Sequence, residues 1–182
     1  MRRTVAIIQA RLSSTRLPRK VLMDIGGKTM LERVIERTSQ SKVDHVVVAA
    51  PHDIPMSDKC PIFIGDEQDV LKRYYDCADF FDADTIIRIT SDCPLIDPKI
   101  IDYAIDYFND NDYPYVYFAP VDGLDVEVFS YKLLQEAHEN ATTKEDREHV
   151  TPYMKRLTKM SVDDLQTLEK VRKIWKTKEP II

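Results

Sequence analysis

The chain of 182 residues is 43% apolar and 31% charged with a formal net charge of −5, the composition of a folded globular protein that needs neither disorder nor a membrane span. An acidic balance argues against general nucleic-acid binding, which usually shows a basic domain or stripe. The cysteines, Cys60, Cys77 and Cys93, are widely spaced without a CxxC pair, which reads as reduced thiols in a cytoplasmic protein rather than a disulfide framework or zinc site.

The length is most simply one domain, 1–182. Its opening, MRRTVAII, carries an apolar run too short for a secretory signal; the run turns polar at Gln9 and reads as a first buried strand. The loop that follows, QARLSSTRLPRKVL, holds four cations (Arg11, Arg16, Arg19, Lys20) and three hydroxyls (Ser13, Ser14, Thr15). Such a loop suits a polyphosphate, with hydroxyls and turned backbone N–H groups as donors and Arg and Lys as charge. The plain alternative is a solvated basic loop after an edge strand. It is no Walker A motif, because it lacks Gly and a GK[ST] ending, so Pro18 and the serines must shape it. In an acidic protein the cluster reads as a local funnel for a small anion.

Apolar residues Met30, Leu31, Val34 and Ile35 at helical spacing predict a helix over 28–40. Short β-branched runs predict strands over 43–50, 60–65 and 83–90, with a helix over 67–81 between the last two and another begun near Pro98. Alternation of this kind indicates an α/β fold on a mostly parallel sheet. Strands at 113–119 and 125–129, separated only by a short turn, add an antiparallel part that makes the sheet mixed. Helices are expected over 131–140, 144–159 and 164–176.

Ligands of open α/β sheets sit at the carboxyl ends of strands, where both the Arg11 loop and Asp92 fall. Asp92 facing cations suits a nucleotide carried with magnesium, or it is a helix-starting turn residue before Pro94. Asp69 and Arg73, one helical turn apart, read as an i,i+4 ion pair. Strand alternation puts Asp125 and Glu127 on one face near Asp122. They either contact sugar hydroxyls or a cation, or form the solvated face of an edge strand.

The string IIQARLSSTRLPRKVL, then GGKTMLERVIER, GDEQDVLKRYY, RITSDCPLIDP, DGLDVEVFS and REHVTPY in that order, resembles the cytidylyltransferase family. That family includes the enzymes activating 3-deoxy-manno-octulosonate (Kdo) and acylneuraminate, and its spore-coat polysaccharide (SpsF-like) branch is the most similar. The resemblance implies a three-layer α/β/α nucleotide-diphospho-sugar transferase fold, GT-A-like and Rossmann-like. It implies transfer of CMP from CTP to a 2-keto sugar acid with release of pyrophosphate, assisted by Mg2+. Such a reaction demands positioning and charge neutralisation more than a strong base.

On the matching positions, Gln9, Ala10, Arg11, Ser14, Arg16 and Lys20 hold the nucleotide, with Gly65 and Asp66 at the base. Lys20, Arg11 and Asp92 carry the catalytic charge. Asp122, Asp125, Glu127, Arg147 and Tyr153 face the sugar, Arg147 through a bidentate contact with its carboxylate. Asp92 and Asp163 bind the metal, although Asp163 with Gln166 also reads as a helix capping box. Arg19 stands where the family has Gly, and is expected to point to solvent. The resemblance further implies a homodimer through a carboxyl-terminal part that is shortened here, and the shortening raises the alternative of a noncatalytic nucleotide- or sugar-binding relative.

Overall fold

The computed structural model describes residues 2–14, 16–56, 60–111, 113–119 and 123–158. Thr15, Asp122, Asp163 and the helix expected over 164–176 lie outside the described residues. The elements in chain order are β1 (Thr4–Gln9), a 3-10 turn (Lys20–Leu22), α1 (Met30–Thr38), β2 (His45–Ala50), β3 (Ile62–Ile64), α2 (Val70–Phe80), β4 (Thr85–Thr90), α3 (Pro98–Asp110), β5 (Tyr115–Phe118), β6 (Val126–Ser130), α4 (Tyr131–Asn140), α5 (Lys144–His149) and α6 (Pro152–Thr158).

One six-stranded sheet has the order β3-β2-β1-β4-β6-β5. β1 pairs in parallel with β2 and β4, while β6 runs antiparallel to both β4 and β5. β1 is therefore central, and its near-continuous apolar run is what a strand buried on both faces requires. Its residues split by parity. Ala6 and Ile8 join a core with Leu31, Val34, Ile101 and Ile105 of α1 and α3, and Val5 and Ile7 join one with Leu71, Tyr74, Leu134 and Met154 on the opposite face. The result is the three-layer α/β/α arrangement with a mostly parallel mixed sheet.

Two expectations need correction. Neither β1 nor β6 is an edge strand; β5 and β3 hold the edges, so the loop carrying Arg11 does not follow an edge strand, and Glu127 is buried rather than solvated. The helix expected over 144–159 is broken in two. Val150 adopts φ 70°, ψ −56° and the Thr151 N–H donates to the His149 carbonyl at 2.8 Å, the geometry of a strained γ-turn. Pro152, which starts α6, disfavours helical backbone at the residue before it.

Candidate active site at the β1/β4 switch point

Strand order reverses its progress between β1 and β4, and there the sheet opens a crevice at its carboxyl edge. Gln9 and Thr90 are register partners at that edge, so the loops that leave them face each other. A cavity of about 220 Å³ lies between, lined by Gln9, Ala10, Arg11, Ser14, Arg16, Lys20, Ser91 and Asp92. Six of the predicted nucleotide-binding residues and the predicted metal-binding Asp92 thus come together in one place.

The loop is shaped by backbone pinching. The Leu12 carbonyl accepts from Ser14 N at 3.0 Å and Arg19 N at 3.1 Å, and the Ser14 hydroxyl accepts from Leu17 N at 3.3 Å. Leu12 and the fully buried Val21 tie its two ends to the α1/α3 core. Arg19 sits at φ 56°, ψ 26°, a left-handed conformation that Gly adopts freely and an L-residue adopts at a cost of roughly 1–2 kcal/mol. The Gly that the resemblance implies at this position would have a backbone reason. The Arg19 side chain is exposed, as expected.

Among the described residues, the side chains of Arg11 and Arg16 make no hydrogen bond or ion pair. Lys20 Nζ donates to Asp92 Oδ2 at 2.5 Å. Partial burial pushes the Asp92 carboxyl up, but its bonds to Lys20 and Thr90 outweigh this and hold it below the ordinary carboxylate range. It is thus a carboxylate at neutral pH. No group of three or more His, Cys, Asp or Glu residues gathers among the described residues. One half-exposed carboxylate fits a magnesium that arrives with substrate phosphates and keeps several waters, and does not fit a preformed protein cage.

A second cavity, about 390 Å³, adjoins the first across Gln9 and Arg11. Its far wall is Glu67, Gln68 and Arg73, with Glu148 and His149 of α5. Gly65 and Asp66, predicted at the base, are not in that wall. The close approach that Gly65 permits is Arg73's: a Cβ at Gly65 would stand 2.7 Å from Arg73 Cγ. The Asp66 carboxylate caps the following turn, accepting from the N–H groups of Gln68 and Asp69 at 2.8 Å each, which lowers its pKa. Its carbonyl accepts from Arg73 Nη1 at 2.5 Å. Asp69 caps α2 through Lys72 N and pairs with Arg147 Nη1 at 3.4 Å, so the expected Asp69–Arg73 pair is corrected to Asp69–Arg147.

Of the residues predicted to face the sugar, the four that are described, Asp125, Glu127, Arg147 and Tyr153, each have partners within the protein. Glu127 is buried, with Oε2 paired to Arg88 Nη1 and Oε1 accepting from Tyr115 Oη at 2.7 Å, Thr151 Oγ1 at 3.0 Å and Lys155 Nζ at 2.8 Å. Burial alone would raise its pKa; the Arg88 charge and the bonds from Lys155 and Tyr115 overcome that and bring it down to about 2. Asp125 accepts from Tyr117 Oη at 2.8 Å and Gly123 N at 3.3 Å. Arg147 spends its guanidinium inside the protein, on the carbonyls of Ala141 and His138 and on Asp69. Tyr153 packs against the α2/α4 core beneath Arg156.

Sequence reasoning passed over Arg88 and took Arg73 only as the ion-pair partner of Asp69, not as part of the cavity wall. The signal for Arg88 was a lone cation in the β-branched run TIIRIT, directly opposite Glu127 in the β4/β6 register. Arg73 gave no such signal, since a cation in a helix is ordinary.

The cytidylyltransferase family profile matches residues 5–173. The chain belongs to the cytidylyltransferase family. Among relatives, protein MJ1063 of Methanocaldococcus jannaschii is 39% identical over 160 residues, 82% of this chain and 66% of its own. The spore coat polysaccharide biosynthesis protein SpsF of Bacillus subtilis is 34% identical over 165 residues, 82% of this chain and 68% of its own. A 3-deoxy-manno-octulosonate cytidylyltransferase of Geobacter sulfurreducens is 37% identical over 107 residues, 55% of this chain and 43% of its own. The chain therefore spans about two thirds of the first two relatives and under half of the third. A solved cytidylyltransferase of Leptospira borgpetersenii superposes with a TM-score of 0.78 at 32% identity, over 86% of this chain and 72% of that one. CMP:2-keto-3-deoxy-manno-octonic acid synthetase, solved in complex with CTP, shares the fold with a TM-score of 0.67 at 21% identity, over 96% of this chain and 99% of that one. No helix among the described residues is long and apolar enough to cross a membrane.

Proposed function

We propose that the chain is a cytoplasmic, magnesium-dependent cytidylyltransferase that moves CMP from CTP to a sugar acid of the acylneuraminate or Kdo type for surface polysaccharide biosynthesis, releasing pyrophosphate. The observation that carries this reading is the meeting of Arg11, Arg16 and Lys20 with Asp92 around one cavity at the switch point. Two uncommitted guanidiniums and an ammonium oppose the charge of a triphosphate, and the Ser14 hydroxyl retains a proton to donate. The complex of a fold relative with CTP supports the choice of nucleotide. Asp92, beside Lys20, would hold the magnesium, which when bound neutralises charge developing on the phosphates. The chain's own groups hold the phosphates in line and oppose their charge as pyrophosphate departs, work of orientation rather than of a strong base. The adjoining cavity behind Gln9 and Arg11 leaves room for the remainder of the substrates.

One observation favours a second reading. Glu127 and Arg147, expected at the sugar, are consumed by internal bonds, which suits a relative that binds nucleotide without transferring it. Thermal shift with four nucleoside triphosphates and magnesium tests the shared premise, because a bound ligand raises apparent stability. Pyrophosphate release that requires an added sugar acid selects transfer; nucleotide binding with no such release selects the second reading. Asp92→Asn should keep the fold and lose magnesium-dependent turnover. Normal turnover of that variant at limiting magnesium would assign the metal elsewhere.

A further inference from the structure

Arg88 lies in the middle of the sheet with its guanidinium divided between two partners. Nη1 pairs with the buried Glu127 carboxylate, its direct neighbour across the β4/β6 register, and Nη2 donates to Gln9 Oε1 at 3.1 Å. Glu127 is in turn held by Tyr115 of β5, Thr151 of the γ-turn and Lys155 of α6. Three strands, a turn and a helix thus fix one guanidinium. A guanidinium has donors and no acceptor, so only the oxygen of the Gln9 carboxamide can face it. The amide nitrogen must then point the other way. It makes no hydrogen bond to any described residue, and Gln9 lines both cavities of the cleft.

We infer that Arg88 and Glu127 are positioning residues that lock the Gln9 carboxamide with its NH2 turned into the cleft, where it donates to an oxygen of the bound nucleotide where the two cavities meet. A free glutamine side chain would present oxygen and nitrogen interchangeably to the ligand; the Arg88 fork removes that ambiguity. The cleft thereby gains a neutral donor with a fixed sense beside the exposed charges of Arg11 and Arg16. Its value is selectivity for an acceptor oxygen, since a donor facing it in place would be left unpaired. The inference rests on the nucleotide reading above.

Gln9→Glu is the decisive variant. The carboxylate keeps an oxygen on Arg88 and so keeps the fold, but replaces the inward N–H donor by a second oxygen. The expected result is an unchanged or raised Tm with CTP affinity weakened about tenfold or more, the usual scale for a charge-assisted contact turned repulsive. Tripolyphosphate as a parallel probe tells the contacts apart: weakening for both ligands places Gln9 on a phosphoryl oxygen, and weakening for CTP alone places it on the nucleoside. Arg88→Lys retains a cation for Glu127 and loses the fork. It should weaken CTP several-fold in the wild-type background and add little to Gln9→Glu, a coupling that a purely structural role for Arg88 would not give. In the wild type, the Gln9 side-chain amide resonance should shift on adding CTP. Wild-type binding of CTP left untouched by Gln9→Glu, or additive effects of the two substitutions, overturns the inference while sparing the nucleotide reading. A wild-type chain that binds neither nucleoside triphosphates nor tripolyphosphate overturns both.

Discussion

The two sides of the cleft treat charge in opposite ways. At the mouth, Arg11 and Arg16 are exposed and make no hydrogen bond or ion pair with a described residue, and Lys20 has one partly exposed partner. Behind it, Arg88, Glu127 and Arg147 are each paired with an opposite charge of the protein itself, Arg88 with Glu127 and Arg147 with Asp69. A charged side chain that the fold has already satisfied has little left for a ligand, whereas one held at a strand end without a partner is kept for something else. The contrast separates scaffold from binding surface by hydrogen-bond inventory, where residue type alone does not.

The largest effect expected from breaking this contrast is on the satisfied side. Glu127→Gln leaves Arg88 buried without its counter-charge and should cost about 3–5 kcal/mol of stability, read by urea denaturation. A loss below 1 kcal/mol would mean that water reaches the pair. The same carboxylate makes acid the next lever. Its folded pKa of about 2 lies below the ordinary value of 4.5, so its stabilisation is complete above pH 4.5 and disappears as pH falls toward 2. At 1.36 kcal/mol per unit the lost stability is on the order of 3 kcal/mol. Glu127→Gln should flatten that part of the stability profile, and an equal acid slope in both proteins would assign it to other carboxylates.

On the unsatisfied side the order of sensitivity reverses. Arg16→Ala and Lys20→Ala should each weaken CTP by about 1–3 kcal/mol in calorimetry, with little change in Tm for Arg16, whose side chain supports nothing internal. Unchanged binding in both removes the loop from the site. The smallest effect belongs to Arg19→Gly. It relieves left-handed backbone worth roughly 1–2 kcal/mol and adds unfolded-chain freedom worth roughly 0.5–1 kcal/mol. A net gain of about 0.5 kcal/mol, with CTP affinity retained, is expected from thermal unfolding. A marked fall in affinity would give the Arg19 side chain a place at the phosphates.

What was legible in the sequence follows this division. Periodicity exposed the alternating strands and helices because a sheet covered on both faces demands apolar runs and amphipathic stripes, and the loop from Gln9 to Lys20 stood out because cations cluster rarely after a buried strand. The internal partners of Glu127 and Arg147 were hidden for a common reason. Their string positions show polar residues near a site, but whether a polar group is spent or spare depends on partners distant in sequence: Arg88 lies 39 residues from Glu127 and Asp69 lies 78 from Arg147. The break at Val150 was hidden similarly. Pro152 hinted at it, yet a β-branched residue at positive φ is among the least expected occupants of a turn.

That turn has a mechanical consequence. Val150 is fully buried, and the residues on either side of it serve different masters: His149 forms part of the wall of the larger cavity, and Thr151 grips Glu127 in the sheet. A γ-turn reverses the backbone over three residues, and the form found here is rare and strained. The cavity wall and the middle of the sheet are therefore joined through a single buried residue, which leaves His149 one short turn away from the anchorage of Glu127.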